Sequence, residues 1–141
     1  MAAGKHSSSE VTVTIADSGG VNRVITSGVL TIGGMKITSP LELATALGDS
    51  WDKNLPSGVQ KVDPAKLTGF FDDTATTGTH VVLGTPDPTP QTAPRAFIMV
   101  FGNSKTFTGT VFVQDYAVLA VAGKITKFEA TLVFTGSVAW T

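Results

Sequence analysis

The chain has 141 residues, 42% hydrophobic and 15% charged, with a formal net charge of −1 and no cysteine. That length suits one domain with an adequate core. The near-zero charge removes the bulk electrostatic case for gripping nucleic acid. Lack of cysteine excludes disulfide and thiolate chemistry, and no run of eighteen apolar residues exists to cross a membrane as a helix, so no membrane insertion is expected. The charged fraction lies below the usual value of about a quarter. Low charge with ordinary apolarity implies a surface covered by partners rather than by water.

Threonine and valine recur along the chain, and β-branched residues favour a pleated surface. Residues 1–10 (MAAGKHSSSE) are small and polar, lack the apolar middle of a signal peptide, and read as a flexible N-terminal arm. Residues 11–141 are expected to form a single domain. Val11, Val13 and Ile15 alternate with Thr12, Thr14 and Ala16, which predicts a first strand. Asp17, Ser18, Gly19 and Gly20 form a turn, with Asp and Ser bonding the local backbone. Residues 21–25 resume as a short strand, and residues 29–38 (VLTIGGMKIT) read as a third, kinked or bulged at Gly33-Gly34.

Residues 39–47 carry the signals of a short helix. Ser39 suits the N-cap, Pro40 the first helical position and Glu42 a capping-box acid, while Gly48 ends it. A strand continuing the preceding sheet is the competing reading. Residues 49–58 (DSWDKNLPSG) are turn-rich and place Trp51 in a polar setting. Residues 66–71 predict a strand closed by Asp72-Asp73, and residues 76–83 could form one turn of helix. Residues 84–94 hold four prolines in eleven positions, which excludes helix and central strand and predicts an extended surface loop. Residues 95–101 (RAFIMVF) are apolar on both parities, as expected of a strand buried on both faces. Asn103-Ser104 is a candidate hairpin turn. Residues 105–116 form a long strand, with Phe107, Val111 and Val113 opposing Thr106, Thr108 and Thr110. Residues 118–123 connect it to the last strand.

That last strand, residues 127–141 (KFEATLVFTGSVAWT), alternates almost without error. Phe128, Ala130, Leu132, Phe134, Val138 and Trp140 share one parity; Lys127, Glu129, Thr131, Thr135, Ser137 and Thr141 share the other. Unbroken, it would span roughly 50 Å, against about 17–20 Å for an ordinary strand. Such a strand needs a surface larger than a small monomer supplies. Gly136-Ser137 is the one internal break, either a bulge or a tight turn. The whole pattern is mostly β: a sandwich or barrel of seven or eight strands with one short helix.

Catalytic chemistry is sparse. His6 and His80 lie far apart, and a solvated or capping histidine is the favoured reading of His80. Asp72-Asp73 and the pair Asp49 and Asp52 read as turn chemistry rather than cation ligands. Gly33-Gly34 lacks the spacing of a phosphate cradle. Ser7, Ser8 and Ser9 have no adjacent base, and the basic residues form no stripe interleaved with aromatics. No catalytic, cofactor-binding or metal site is expected, and no cofactor. Trp51, in its polar loop, fits a contact with another chain; Trp140 stands evenly between core anchor and contact.

Several segments together resemble the major tail tube proteins of long-tailed bacteriophages. They are residues 13–20 (VTIADSGG), 22–25 (NRVI), 46–52 (ALGDSWD), 67–73 (LTGFFDD), and the closing run from Asp115-Tyr116 through residues 127–132 to Gly136-Ser137-Val138. The order and spacing match over nearly the whole chain, except for the Pro-rich stretch. The resemblance implies a β-sandwich with one helix that oligomerises into a continuous β-barrel tube. Six copies form a ring, rings stack, and DNA passes through the lumen on ejection without specific binding. The long loop between early strands, residues 38–62 here, is expected to reach a neighbouring subunit or ring, with Gly48, Asp49, Ser50, Trp51 and Asp52 as its contact loop. Thr106, Thr108, Thr110, Glu129, Thr131 and Thr135 are the expected lumen-facing residues. Tape measure, tail terminator and distal tail proteins are the expected partners, and the location is the virion tail, assembled in the host cytoplasm. Alternatives are another virion sandwich, such as a tail terminator or capsid decoration protein, the tube of a contractile injection or secretion system, and a carbohydrate-binding sandwich. An enzyme comes last.

Overall fold

The computed structural model describes residues 5, 7–17, 19–84, 93–102 and 105–141. Among the described residues, eleven strands and one α-helix follow in chain order: β1 (Val11–Ala16), β2 (Asn22–Val24), β3 (Val29–Gly33), β4 (Ile37–Thr38), β5 (Leu41–Leu43), β6 (Asn54–Pro56), β7 (Lys61–Val62), β8 (Ala65–Phe70), α1 (Thr79–Leu83), β9 (Arg95–Phe101), β10 (Lys105–Leu119) and β11 (Lys127–Trp140). Seven of them make one sheet in the order β2-β1-β9-β10-β11-β8-β3, with every pairing antiparallel. The mostly β expectation with one short helix is met.

Chain length forces this sheet to curl. Laid flat, the edge strands β2 and β3 would stand about 29 Å apart, at roughly 4.8 Å per strand spacing. Only residues 25–28 connect them, and five Cα steps reach at most about 18 Å. The link also stitches to the sheet interior: Ile25 N–H donates to Val13 O at 3.0 Å, and Val13 N–H donates to Thr26 Oγ1 at 2.8 Å. Closure is incomplete, and a slot of about 290 Å³ remains between Val11 and Val13 of β1 and Val29 and Ile32 of β3.

The curl brings one parity of every long strand into one core: Val13, Ile15, Leu67, Phe97, Met99, Phe107, Val111, Phe128 and Leu132 are all buried. Burying each large side chain is worth about 1.5–3 kcal/mol. Phe97, Phe107 and Phe134 meet edge to face with centroids 5.6–6.4 Å apart, the arrangement ring quadrupoles favour. In the turn after β1, Asp17 Oδ1 accepts the N–H groups of Gly19 and Val21, and Oδ2 accepts Arg23 Nε at 3.1 Å; Ser18 lies outside the described residues. Desolvation opposes ionisation of Asp17, but these donors and the Arg23 charge hold its carboxyl below the usual carboxylate value.

Helix α1 packs against the core with Val82 and Leu83 buried. Thr79 Oγ1 donates to Phe70 O at 2.7 Å, and buried Arg95 donates from Nη1 to Val82 O at 2.7 Å. Burial pushes the Arg95 guanidinium down in pKa, against the charge of Asp17.

Several expectations change. Residues 39–47 are not helical: Leu41–Leu43 form β5, paired with β6 as Leu41↔Pro56, Glu42↔Leu55 and Leu43↔Asn54. A helix that short is unstable without packing, and residues 41–48 are exposed, with no core beside them to hold one. The one α-helix among the described residues, Thr79–Leu83, lies within the stretch 76–83 read as a turn of helix. The strand expected over residues 29–38 breaks into β3 and β4, because Gly34 takes φ +88°. Strand β9 is not buried on both faces: Arg95, Phe97 and Met99 are buried, while Ala96, Ile98 and Val100 are half-buried on the outer face. Strand β10 continues to Leu119, past the expected end at Tyr116.

Gly136-Ser137 is a bulge, not a turn. Register moves from Thr110↔Thr135 to Thr108↔Ala139, so β11 carries two extra residues there, with Gly136 at φ +75°. Two extra residues leave parity unchanged, so Val138 and Trp140 stay on the side of Phe134. Of the expected N-terminal arm, residues 1–4 and His6 lie outside the described residues, and Ser8–Glu10 form a 3-10 turn with Ser7 as cap. Most of the Pro-rich loop (85–92) and the Asn103-Ser104 turn also lie outside them.

A tight approach of strands marks Gly69. A Cβ there would stand 2.1 Å from Gly28 O, 2.8 Å from the Phe128 ring and 3.0 Å from Val29 Cα. Gly69→Ala is expected to destabilise the monomer by about 3 kcal/mol, read from the urea midpoint; a midpoint unchanged from wild type would contradict this packing.

Candidate assembly surfaces

Residues 35–63 leave the barrel as a hairpin arm. Its root is the β4–β7 ladder, Ile37↔Val62 and Thr38↔Lys61, and its outer part is the β5–β6 ladder. Ser57 N–H donates to Pro40 O at 2.9 Å between them. At the tip the loop ties itself: Ala44 N–H donates to Lys53 O at 2.7 Å, Ala46 N–H to Asp49 Oδ2 at 2.8 Å, and Lys53 N–H to Thr45 Oγ1 at 2.9 Å. Thr45 Oγ1 donates to Asp52, and Lys53 Nζ lies 3.4 Å from Asp49 Oδ1. Gly48, Asp49, Ser50, Trp51 and Asp52 are therefore brought together at the apex, and their two acids serve the turn. Among the described residues no group of three or more His, Cys, Asp or Glu side chains is placed to hold a metal ion.

The arm exposes what a water-facing hairpin normally hides. Trp51 is 84% exposed and Leu43 68%, and Leu41, Leu47, Leu55 and Val59 are also exposed. A lone two-stranded hairpin is marginal in water, and this one exposes apolar side chains on both faces, Leu41 and Leu43 on one and Leu55 on the other.

A second surface is the sheet face opposite the core. Thr106, Thr108 and Thr110 of β10 and Glu129, Thr131 and Thr135 of β11 share it, as the pairs Thr110↔Thr135 and Asp115↔Thr131 require. Lys66 and Thr68 of β8 lie beside Thr131 and Glu129. With Asp115 and Ala117 they line a shallow depression of about 510 Å³. Lys66 and Lys127 balance Asp115 and Glu129. Toward β9 the same face turns apolar, with half-buried Ile98, Val100, Phe112 and Val133.

The third feature is a pair of strand edges that carry no ladder among the described residues. Strand β9 pairs only with residues 105–111 of β10, and β8 only with residues 127–132 of β11. Among the described residues, 114–119 of β10 therefore carry no ladder on one margin, and 133–140 of β11 none on the other. These half-edges sit on opposite sides of the sheet. Sequence periodicity showed long strands but not this stagger, because pairing is not local; the one available signal was strand length beyond that of the neighbours.

His80 is a packing residue. Its ring lies 4.5 Å from Phe71, and Nδ1 is 3.2 Å from the Tyr116 hydroxyl. Tyr116 stacks on Phe128 at 5.5 Å, and burial raises its pKa, keeping the phenol neutral. Asp72 accepts Thr74 Oγ1 at 2.6 Å and Thr74 N–H at 2.9 Å, and these bonds, the side-chain one foremost, lower its pKa. Trp140 packs on Phe107 and Phe101, with centroids 5.0 and 5.7 Å away, while 53% exposed. Truncating the two tryptophans should thus differ: Trp51→Ala is expected to shift monomer stability by less than about 0.5 kcal/mol and Trp140→Ala to cost about 1–2 kcal/mol. Parallel urea melts of the monomers check this, and equal losses would contradict the placement of Trp51.

No protein-family model matches the sequence, and no curated protein matches it significantly. Solved structures do. A chain from the tail of an empty gene transfer agent particle, computed with helical refinement and C6 symmetry, superposes with TM-score 0.72 at 13% identity, over 97% of this chain and 99% of that one. A chain from the sheath-tube complex of PVC, an extracellular contractile injection system, gives 0.69 at 11% identity, over 97% and 91%. The SPP1 tail tube gives 0.68 at 11% identity, over 94% and 77%. The chain has the fold shared by these tail and tube proteins over nearly its whole length.

Proposed function

We propose that this chain is the structural, non-enzymatic subunit of a phage-type tail tube. Copies join side by side into rings, sixfold as in the gene transfer agent tail, and rings stack into a hollow conduit for DNA. The observation that carries this reading is the pair of half-edges, residues 114–119 and 133–140, that carry no ladder among the described residues on opposite margins of the β10–β11 ribbon. Copies related by rotation about an axis keep their strand directions. Strands β10 and β11 run opposite ways, so edge meets edge antiparallel, and the stagger supplies the strand offset that a tilted barrel requires. A closed ring also removes edges that otherwise recruit strands without limit.

The face holding Thr106, Thr108, Thr110, Glu129, Thr131 and Thr135 is the proposed lumen lining. Its two lysines and two acids cancel, so passing phosphates are not retained by counterion release. Single residues of the apex, Gly48 to Asp52, contact another subunit or ring. Tape measure, tail terminator and distal tail proteins would bound the tube in the virion tail, after assembly in the host cytoplasm. The likeness to the PVC chain favours a second reading, the tube of a contractile injection system; a contractile sheath around tubes in native particles would select it.

Negative-stain microscopy of the purified protein tests the proposal, with hollow tubes expected and stable monomers at high concentration counting against it. Successive N–H groups of a strand point to opposite margins. Of Ala117→Pro and Val118→Pro, one therefore removes a donor from the free edge and is expected to abolish tubes while sparing the monomer fold. The other removes a donor facing β11 and lowers monomer stability. Normal tubes from both would sink the edge-pairing model.

A further inference from the structure

We propose that the bulge at Gly136-Ser137 is a brake on strand pairing between copies, a device that rests on the tube reading above, in which residues 133–140 form one of the two joining edges. Among the described residues the seven-stranded sheet has three register shifts, at Leu30 of β3, Gln114 of β10 and Gly136-Ser137 of β11. Each falls where its strand carries no second ladder. Strand β3 lies at the sheet margin, Gln114 opens the half-edge 114–119, and Gly136-Ser137 lies inside the half-edge 133–140. The ladders β1–β2, β1–β9, β9–β10 and β8–β11 run without a shift. A bulge leaves its extra residues unpaired and bends the margin away from an incoming strand, one of the ways in which native sheets blunt their edges.

The two residues are surplus to the subunit's own ladder. Thr106 N–H donates to Thr141 O at 3.0 Å and Thr141 N–H to Thr106 O at 2.9 Å. Alternation then turns the N–H and C=O groups of Ala139 toward β10 and those of Val138 and Trp140 toward the open margin. Before the bulge, Thr110 pairs with Thr135, and the same alternation puts the backbone groups of Phe134 on that margin. Without Gly136 and Ser137, Phe134, Val138 and Trp140 would offer donors and acceptors at regular steps of about 7 Å; with them, the row is broken between Phe134 and Val138. Both surplus residues are exposed. Gly136 stands at φ +75°, and a Cβ on it would meet only Thr110 Oγ1, at 3.9 Å. Removing the pair would set Val138 opposite Gly109, over which its side chain already packs, and would keep Thr110↔Thr135, Thr108↔Ala139 and Phe107↔Trp140. The core therefore has no use for the bulge, whereas a neighbour's strand meets a straight edge only when the bulge is gone or flattened.

Deleting Gly136 and Ser137 together tests the brake. The shortened chain is expected to keep the wild-type monomer circular dichroism spectrum and urea midpoint. It is expected to polymerise at about one-tenth of the wild-type critical concentration, measured by pelleting with electron microscopy of the pellet. A folded deletion variant with an unchanged or raised critical concentration would overturn the brake. Loss of the monomer fold would overturn it too, by showing that the subunit's own ladder needs the bulge. Inserting a second Gly-Ser after Ser137 lengthens the bulge and preserves parity. That variant is expected to raise the critical concentration about tenfold at an unchanged urea midpoint, and wild-type assembly from it would refute the brake. The tube reading fails separately, if the wild type forms no tubes at any concentration. The deletion variant is then still expected to pellet as strand-paired fibres that the wild type does not form, and a deletion variant that stays monomeric would sink the brake as well.

Discussion

Residues 25–28 join strands that stand at opposite margins of a seven-stranded sheet, and the shortness of that link shapes everything else. A flat sheet is out of its reach, so the sheet must wrap. Wrapping turns one parity of each strand into a shared interior and gives α1 a hydrophobic floor to pack on. Gly69 and Gly28 permit the wrap at its tightest point, where a Cβ on Gly69 would strike the Gly28 carbonyl. The Thr26 hydroxyl then holds the link to Val13, so closure is secured by backbone and side chain together.

Against this curled body, β10 and β11 are too long for the strands beside them. The excess is managed by two irregularities with different consequences. At Gln114 one extra residue on β10 exchanges faces, so Asp115 and Ala117 turn outward while Tyr116 turns to Phe128 and His80. At Gly136 the two extra residues on β11 keep faces, and Gly109 on β10 leaves space for Phe134 and Val138. Aromatic packing by Phe107 and Trp140 anchors the far end. The ribbon is thus firmly held to the core while offering backbone donors and acceptors at both margins, which is the physical requirement of a subunit that shares a sheet with its neighbours.

The low charge of the chain has its counterpart in where apolar side chains sit. Leucines of the arm, valines and isoleucine of the β10–β11 turn, and the half-buried Ile98, Val100, Phe112 and Val133 of the outer face are all poorly covered in one copy. Each would be an aggregation hazard in a monomer. Distributed over the arm, the turn, the face and two free edges, they fit a molecule that contacts several copies at once.

Local chemistry was legible in the residues. Period-two alternation assigned the faces of β1, β10 and β11, and Asp17 and the glycines after it announced their turn. Those features depend on neighbours within a few positions, so the chain alone determines them. Over residues 39–47 the residues leave helix and strand in competition, because Ser39, Pro40, Glu42 and Gly48 satisfy helix-end rules that say nothing about a partner strand at Asn54–Pro56. The stagger of β10 against β9, the bulge at Gly136 and the joining of His80 to Tyr116 likewise rest on contacts between distant segments. Which surfaces remain unpaired after the sheet has wrapped was decided only by the tertiary structure, since an edge is free or occupied according to the strands that come to lie beside it.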